Sequence, residues 1–172
     1  MFNIKKISII LASLFLFSCG GNADIVKVGD DAPNFSLQDA NGKTFTLADY
    51  KGKSPVVIYF YPKANTPGCT KEACGIRDDF PEFKKSDIAI FGISVDSKED
   101  IKEFVNDYNL NFPLLSDIEK TTCKEYGVLN NLGFANRITF IIDKNGKIAK
   151  ILKNFDIEKH SQLALDIAKK LK

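Results

Sequence analysis

The apolar run Val56-Val57-Ile58-Tyr59-Phe60-Tyr61 passes directly into Pro62-Lys63-Ala64-Asn65-Thr66-Pro67-Gly68-Cys69, and a second cysteine, Cys74, follows five residues later. This junction constrains the chain more than any other stretch. The run is strand-like, dense in β-branched and aromatic residues. Thr66 suits a helix N-cap and Pro67 the first helical position, so Cys69 is expected in the first helical turn. A thiolate there meets unpaired backbone N–H groups and the positive end of the helix dipole. Ionisation alone is a limited gain. An ordinary cysteine is about 3% thiolate near pH 7, so complete ionisation accelerates it at most roughly thirtyfold. A more acidic thiol is also a weaker nucleophile. Fast chemistry at Cys69 therefore needs groups that stabilise a transition state as well as an anion.

Around this junction the chain alternates strand and helix patterns. Residues 34–47 read as a hairpin: Phe35-Ser36-Leu37 and Thr44-Phe45-Thr46 alternate about an Asn41-Gly42 turn. After strand 56–61 comes a helix over about 67–84, then an apolar strand over 88–95. Residues 98–108 carry helical spacing through Ile101, Phe104, Val105 and Tyr108. A short extended piece at 113–115 and a short helix over 119–126 follow. Strands 138–142 and 147–152 flank the turn Asp143-Lys144-Asn145-Gly146, and a helix over 157–171 closes the chain. This order predicts an α/β domain with a mixed central sheet, helices on both faces and right-handed crossovers. It matches a thioredoxin-like architecture with an added N-terminal β-hairpin.

The 172 residues suffice for one domain with a sizeable core. The first segment stands apart from it. Lys5 and Lys6 precede an apolar run from Ile7 to Phe17, too short to span a bilayer comfortably and suited to an export signal. Leu16-Phe17-Ser18-Cys19 resembles a bacterial lipobox, with Phe17 in place of the usual small residue. The expectation is a lipoprotein signal peptide over 1–18, lipidated Cys19 with a tether over 19–27, and the folded domain over 28–172. Location would be the bacterial cell envelope, membrane-anchored and facing the periplasm or exterior. An uncut anchor, or a secretory signal leaving Cys19 free, remains open. The net charge of +2 comes from Lys5 and Lys6, so the domain is balanced and shows no basic patch for nucleic acid. Four cysteines exclude a disulfide-rich scaffold, and with Cys19 lipidated three thiols remain.

The stretch from Tyr59 to Cys74 resembles the active-site region of the peroxiredoxins, and is most similar to their bacterioferritin comigratory protein (Q-type) subfamily. The likeness continues through Phe91-Gly92-Ile93-Ser94-Val95-Asp96-Ser97, Leu114-Leu115-Ser116-Asp117 and Arg137-Ile138-Thr139-Phe140-Ile141-Ile142-Asp143. The Pro-x-x-x-Thr-x-x-Cys motif falls on Pro62, Thr66 and Cys69. The resemblance implies a thiol-dependent peroxidase that reduces hydrogen peroxide and organic hydroperoxides without cofactor or metal. Cys69 would be the peroxidatic nucleophile and Cys74 the resolving cysteine. Thr66 and Arg137 would orient the peroxide, and Pro62 would shield the pocket. A thioredoxin-like protein would be the reductant, and a monomer is the family's usual form. Arg137 is a permanent cation suited to charge developing on a leaving oxygen, and Thr66 can both accept from a peroxide and donate to it. The only histidine, His160, lies in the last helix and offers no obvious Cys–His dyad.

Helix geometry makes the Cys69–Cys74 pairing demanding. Cα atoms five apart in a helix are about 8.7 Å apart, whereas a disulfide needs less than about 7 Å. The helix must therefore unwind once Cys69 is oxidised, unless the segment is never helical. Three departures from the family pattern stand out. The stretch 130–136 is short, Asp100-Ile101 replaces a common Ser-His, and Cys123 is an additional thiol, packed or redox-active. Two other readings share the fold and export: a redox sensor passing oxidation to a partner, and a Sco-like copper chaperone. The latter needs Cys-x-x-x-Cys and a late ligand histidine, and the spacing here is one residue longer.

Overall fold

The computed structural model describes residues 26–172. The expected signal peptide, Cys19 and most of the tether lie outside the described residues. Within them, the hairpin β1 (Ser36–Asp39) and β2 (Thr44–Thr46) leads through a 3-10 turn at Leu47–Tyr50 into β3 (Val56–Phe60). Then come α1 (Pro67–Lys85), β4 (Ala89–Ser94), α2 (Lys98–Tyr108), β5 (Leu114–Ser116) and α3 (Thr121–Glu125). The strands β6 (Ile138–Ile142) and β7 (Ile148–Leu152) and the helix α4 (His160–Lys169) complete the chain. This is the expected thioredoxin-like architecture with an N-terminal β-hairpin: a mixed sheet ordered β2-β1-β5-β4-β3-β6-β7 with four helices packed on it.

All residues of β3 and β6 are buried, as uninterrupted apolar runs at the middle of a sheet require. Alternation along β3 sends Val57 and Tyr59 to one face, Val56, Ile58 and Phe60 to the other. The first face holds the contacts of the three long helices, through Ile76 and Phe83 of α1, Ile101 and Phe104 of α2, and Ala164 and Leu165 of α4. The second face is covered by Phe35, Leu47, Cys123 of α3, Tyr126 and Val128. Helices thus lie on both faces, unequally. Gly92 of β4 is required by packing, because a Cβ there would come within 2.7 Å of the Tyr59 ring.

Several element ends depart from the sequence pattern for local reasons. Lys120 has a left-handed backbone (φ 62°), so α3 begins after it rather than at 119. Asp156 accepts from the Glu158 backbone N–H, and this turn delays α4 to His160. Pro81 lies inside α1 without breaking it. The carbonyl deprived of its helical partner, that of Arg77, accepts instead from Asn111 Nδ2 at 3.1 Å.

Candidate active site

The site forms where β3 ends and α1 begins. Phe60 pairs with Ile138 in the antiparallel β3–β6 ladder, so the residue before β6, Arg137, lies beside the chain leaving β3. Pro62, half-buried, starts the connecting loop. Asp96, itself buried, secures that loop: its Oδ2 accepts from the Ala64 backbone N–H and the Ser94 hydroxyl, both at 2.8 Å. Asn65 takes a left-handed conformation (φ 56°), and Thr66 returns to extended backbone before Pro67 opens the helix.

Thr66 holds the N-cap position without capping the helix through its side chain. Its Oγ1 donates to the Lys63 carbonyl at 2.9 Å. This narrows the expectation from sequence: with its proton committed to Lys63, the hydroxyl has lone pairs to offer and is available as an acceptor rather than as a donor.

Cys69 is 2% exposed. Arg137 Nη2 lies 3.1 Å from its Sγ, across a gap that Gly68 keeps open. A Cβ on Gly68 would sit 3.3 Å from the same nitrogen. Arg137 Nη1 donates to Glu72 Oε2, a buried carboxylate one helical turn beyond Cys69. Behind it, Glu72 Oε1 faces His160 Nδ1 at 3.1 Å, and His160 Nε2 bonds the Thr139 hydroxyl at 2.8 Å. Burial pushes the Glu72 carboxyl up to about 7, against the opposing charge and hydrogen bond of Arg137. Burial, and secondarily the charge of Arg137, brings His160 down to about 4.

Cys74 is half-buried, unpaired and in the same unbroken helix as Cys69. Cys123 is fully buried on the second face of the sheet, and burial, then the nearby Asp117 charge, pushes its thiol far up. Pro62, Thr66, Cys69 and Arg137 therefore gather at one end of β3 and β6, and Cys123 does not join them. The sequence assigns Glu72 no role and offers His160 no partner. Glu72 was hidden by its charge, which on a helix ordinarily faces water. His160 was hidden because nothing local aims an α4 residue at α1. Among the described residues no group of three or more histidines, cysteines or acidic residues is placed to hold a metal ion.

Residues 28–151 match the AhpC/TSA family. The chain is similar to peroxiredoxin Bcp of Escherichia coli (strain K12), with 41% identity over 148 residues, 82% of this chain and 94% of the relative. Peroxiredoxin Q, chloroplastic, of Sedum lineare is 43% identical over 150 residues, 86% of this chain and 80% of the relative. Among solved structures, peroxidoxin BcpB from Mycobacterium tuberculosis superposes with a TM-score of 0.78 at 35% identity, covering 85% of this chain and 98% of the other. These relatives favour neither a Sco-like copper chaperone nor a redox sensor.

They also correct the expected localisation in the bacterial cell envelope. The similar proteins are Bcp and peroxiredoxin Q proteins, one of them named as chloroplastic, and none of the three is named as a lipoprotein. The expectation rested wholly on an apolar run and an imperfect lipobox that lie before the matched region. No helix among the described residues is long and apolar enough to cross a membrane. By fold, by the match over most of its length and by its relatives, the chain belongs to the AhpC/TSA family, as a peroxiredoxin of the Bcp/peroxiredoxin Q type, and is a thiol-dependent peroxidase.

Proposed function

We propose that Cys69 is the peroxidatic nucleophile, Cys74 the resolving cysteine, and Pro62, Thr66 and Arg137 the peroxide pocket. The observation that carries this is the 3.1 Å contact between Arg137 Nη2 and Cys69 Sγ in the first turn of α1. The Cys69 thiolate attacks one oxygen of a hydroperoxide, hydrogen peroxide or an organic one. An S–O bond forms and the O–O bond breaks. Sulfur gives up two electrons, and the leaving alkoxide or hydroxide takes a proton to become alcohol or water. Arg137 stabilises the charge spread over sulfur and both oxygens, while Thr66 accepts the substrate O–H. Pro62 holds the loop over the pocket and limits entry of water.

The product is Cys69 sulfenic acid. Cys74 thiolate then attacks its sulfur, the S–S bond forms, and hydroxide leaves as water. A thioredoxin-like dithiol restores both thiols by exchange. Both cysteines lie in one helix, so resolution needs no second chain and the protein works as a monomer. Cys123 cannot substitute for Cys74, because the sheet separates it from Cys69.

Cys69→Ser should abolish peroxide consumption. Cys74→Ser should oxidise once, become trappable as sulfenic acid by a dimedone-type reagent, and overoxidise in excess peroxide. A Cys69→Ser protein with near-normal turnover eliminates this assignment.

A further inference from the structure

Every polar atom of the Glu72 and His160 side chains points into protein. Glu72 is 1% exposed and His160 is fully buried. Glu72 Oε2 is taken by Arg137. Neither Glu72 Oε1 nor His160 Nδ1 has a regular hydrogen-bond partner, and they face each other at 3.1 Å. Each of these two buried polar atoms thus has the other as a polar neighbour within hydrogen-bond distance, and a small rotation of either side chain would pair them. The acceptor facing Nδ1 selects the tautomer: an ionised Glu72 oxygen 3.1 Å away calls for the imidazole proton on Nδ1. The Thr139 hydroxyl can donate to Nε2 in that tautomer, so both ring nitrogens then have a polar neighbour of the right kind. Alternation along β6 explains the placement: Thr139 turns to the face that carries α1 and α4, and away from Phe140. Phe155 stacks on the imidazole at 4.1 Å and fixes its plane.

Glu72 also lies between Cys69 and Cys74, inside the stretch of α1 that must unwind for the two to join. We propose that His160 is a positioning residue of the peroxidase. By binding the free oxygen of Glu72 it aims the other oxygen, and with it Arg137, at Cys69, and it ties the first turns of α1 to α4 until Cys69 is oxidised. The inference deepens the reading of Cys69 and Cys74 above and rests on it. The contact has opposite consequences for the two chemical steps. It favours attack on peroxide, which needs an aligned guanidinium, and it restrains disulfide formation, which needs Glu72 to leave.

His160 is the single histidine of the chain, so histidine labelled with 15N reports this contact alone in the intact protein. The reduced form should carry its proton on Nδ1. Forming the disulfide with one equivalent of hydrogen peroxide should shift the Nδ1 resonance as Glu72 departs. An unchanged resonance, in a sample whose Cys69–Cys74 bond is verified by mass spectrometry, overturns the inference. A sample whose thiols remain free after peroxide overturns the functional reading itself, and the inference with it.

Two substitutions separate positioning from packing. Both remove the stack on Phe155, but Asn Nδ2 falls where Nδ1 was and Gln Nε2 where Nε2 was. His160→Asn should keep the rate of Cys69 oxidation within about threefold, whereas His160→Gln should slow it about tenfold. His160→Gln should also form the disulfide from its sulfenate faster than the wild type. Equal effects of the two substitutions on both steps assign His160 to packing alone and overturn the proposal.

Discussion

Arg137 divides one guanidinium between a sulfur and a carboxylate, and the balance between them sets its use. Nη2 faces Cys69 at 3.1 Å, while Nη1 holds Glu72. Lysine cannot reproduce that fork, so Arg137→Lys should recover little of what Arg137→Ala loses. The alanine variant should oxidise with peroxide 100- to 1,000-fold more slowly, for a loss of about 2.7–4 kcal/mol of transition-state stabilisation. Stopped-flow fluorescence or competition kinetics would measure it, and far-UV circular dichroism should stay native. Glu72 and His160 make a second residue-scale prediction, about pH. Glu72 is raised from 4.5 to about 7, so its contribution to folding is fully present below pH 4.5 and is lost as pH rises through 7. His160 is lowered from 6.5 to about 4, so its contribution is present above pH 6.5 and lost as pH falls through 4. The two slopes oppose each other between about pH 4.5 and 6.5. Glu72→Gln should uncover the pH dependence that His160 contributes, and stability by urea unfolding should then rise with pH across that window. His160→Asn should uncover the opposite trend.

At the scale of elements, the proposed resolution of Cys69 by Cys74 requires α1 to serve two incompatible states. Reduced, it is one helix of 19 residues with Cys69 and Cys74 held apart. Oxidised, its first turns must open, releasing Glu72 from Arg137 and the exposed Lys71–Glu158 pair that joins α1 to the turn before α4. Hydrogen exchange of the wild type after one equivalent of peroxide should therefore show lost protection over residues 68–77 and none in β3 or β6. Full protection beside a verified disulfide would mean that the segment is not a regular helix in solution. The strands and helices themselves were legible from periodicity, because their apolar residues face a sheet or a core at fixed spacing. The Cys69 end of α1 was legible too, since Thr66 and Pro67 mark a helix start on purely local grounds. What lay outside reach were contacts between distant elements. No local signal joins Asp96 to Ala64, Asn111 to the Arg77 carbonyl, or His160 to Glu72. The Thr66 hydroxyl misled in the other direction: its residue type predicts a side-chain cap, and the Lys63 carbonyl outcompetes the helix for its proton.

Across the whole molecule, the sheet divides two chemistries. Cys69, Glu72, His160 and the long helices occupy one face, while Cys123 is buried on the other among Phe60, Tyr126, Val128 and Phe140. The side chain of Asp117 accepts from the Cys123 backbone N–H at 2.7 Å, so α3 is held by its backbone while the thiol fills space. A thiol kept neutral by burial and by an adjacent carboxylate is a poor nucleophile at physiological pH, and a seven-stranded sheet bars its path to Cys69. Cys123→Ala should consequently leave the peroxide reaction, the Cys69–Cys74 disulfide and its reduction unchanged within about twofold, the range of a site with no part in the reaction. Its effect should appear in stability instead, as a loss of about 1 kcal/mol from the vacated volume between α3 and the sheet. Peptide mapping of the oxidised wild type supplies the decisive observation. A Cys69–Cys123 bond there would require the chain to pass its thiol across the central strands, and would remove both Cys74 as the resolving cysteine and the monomer argument that depends on it.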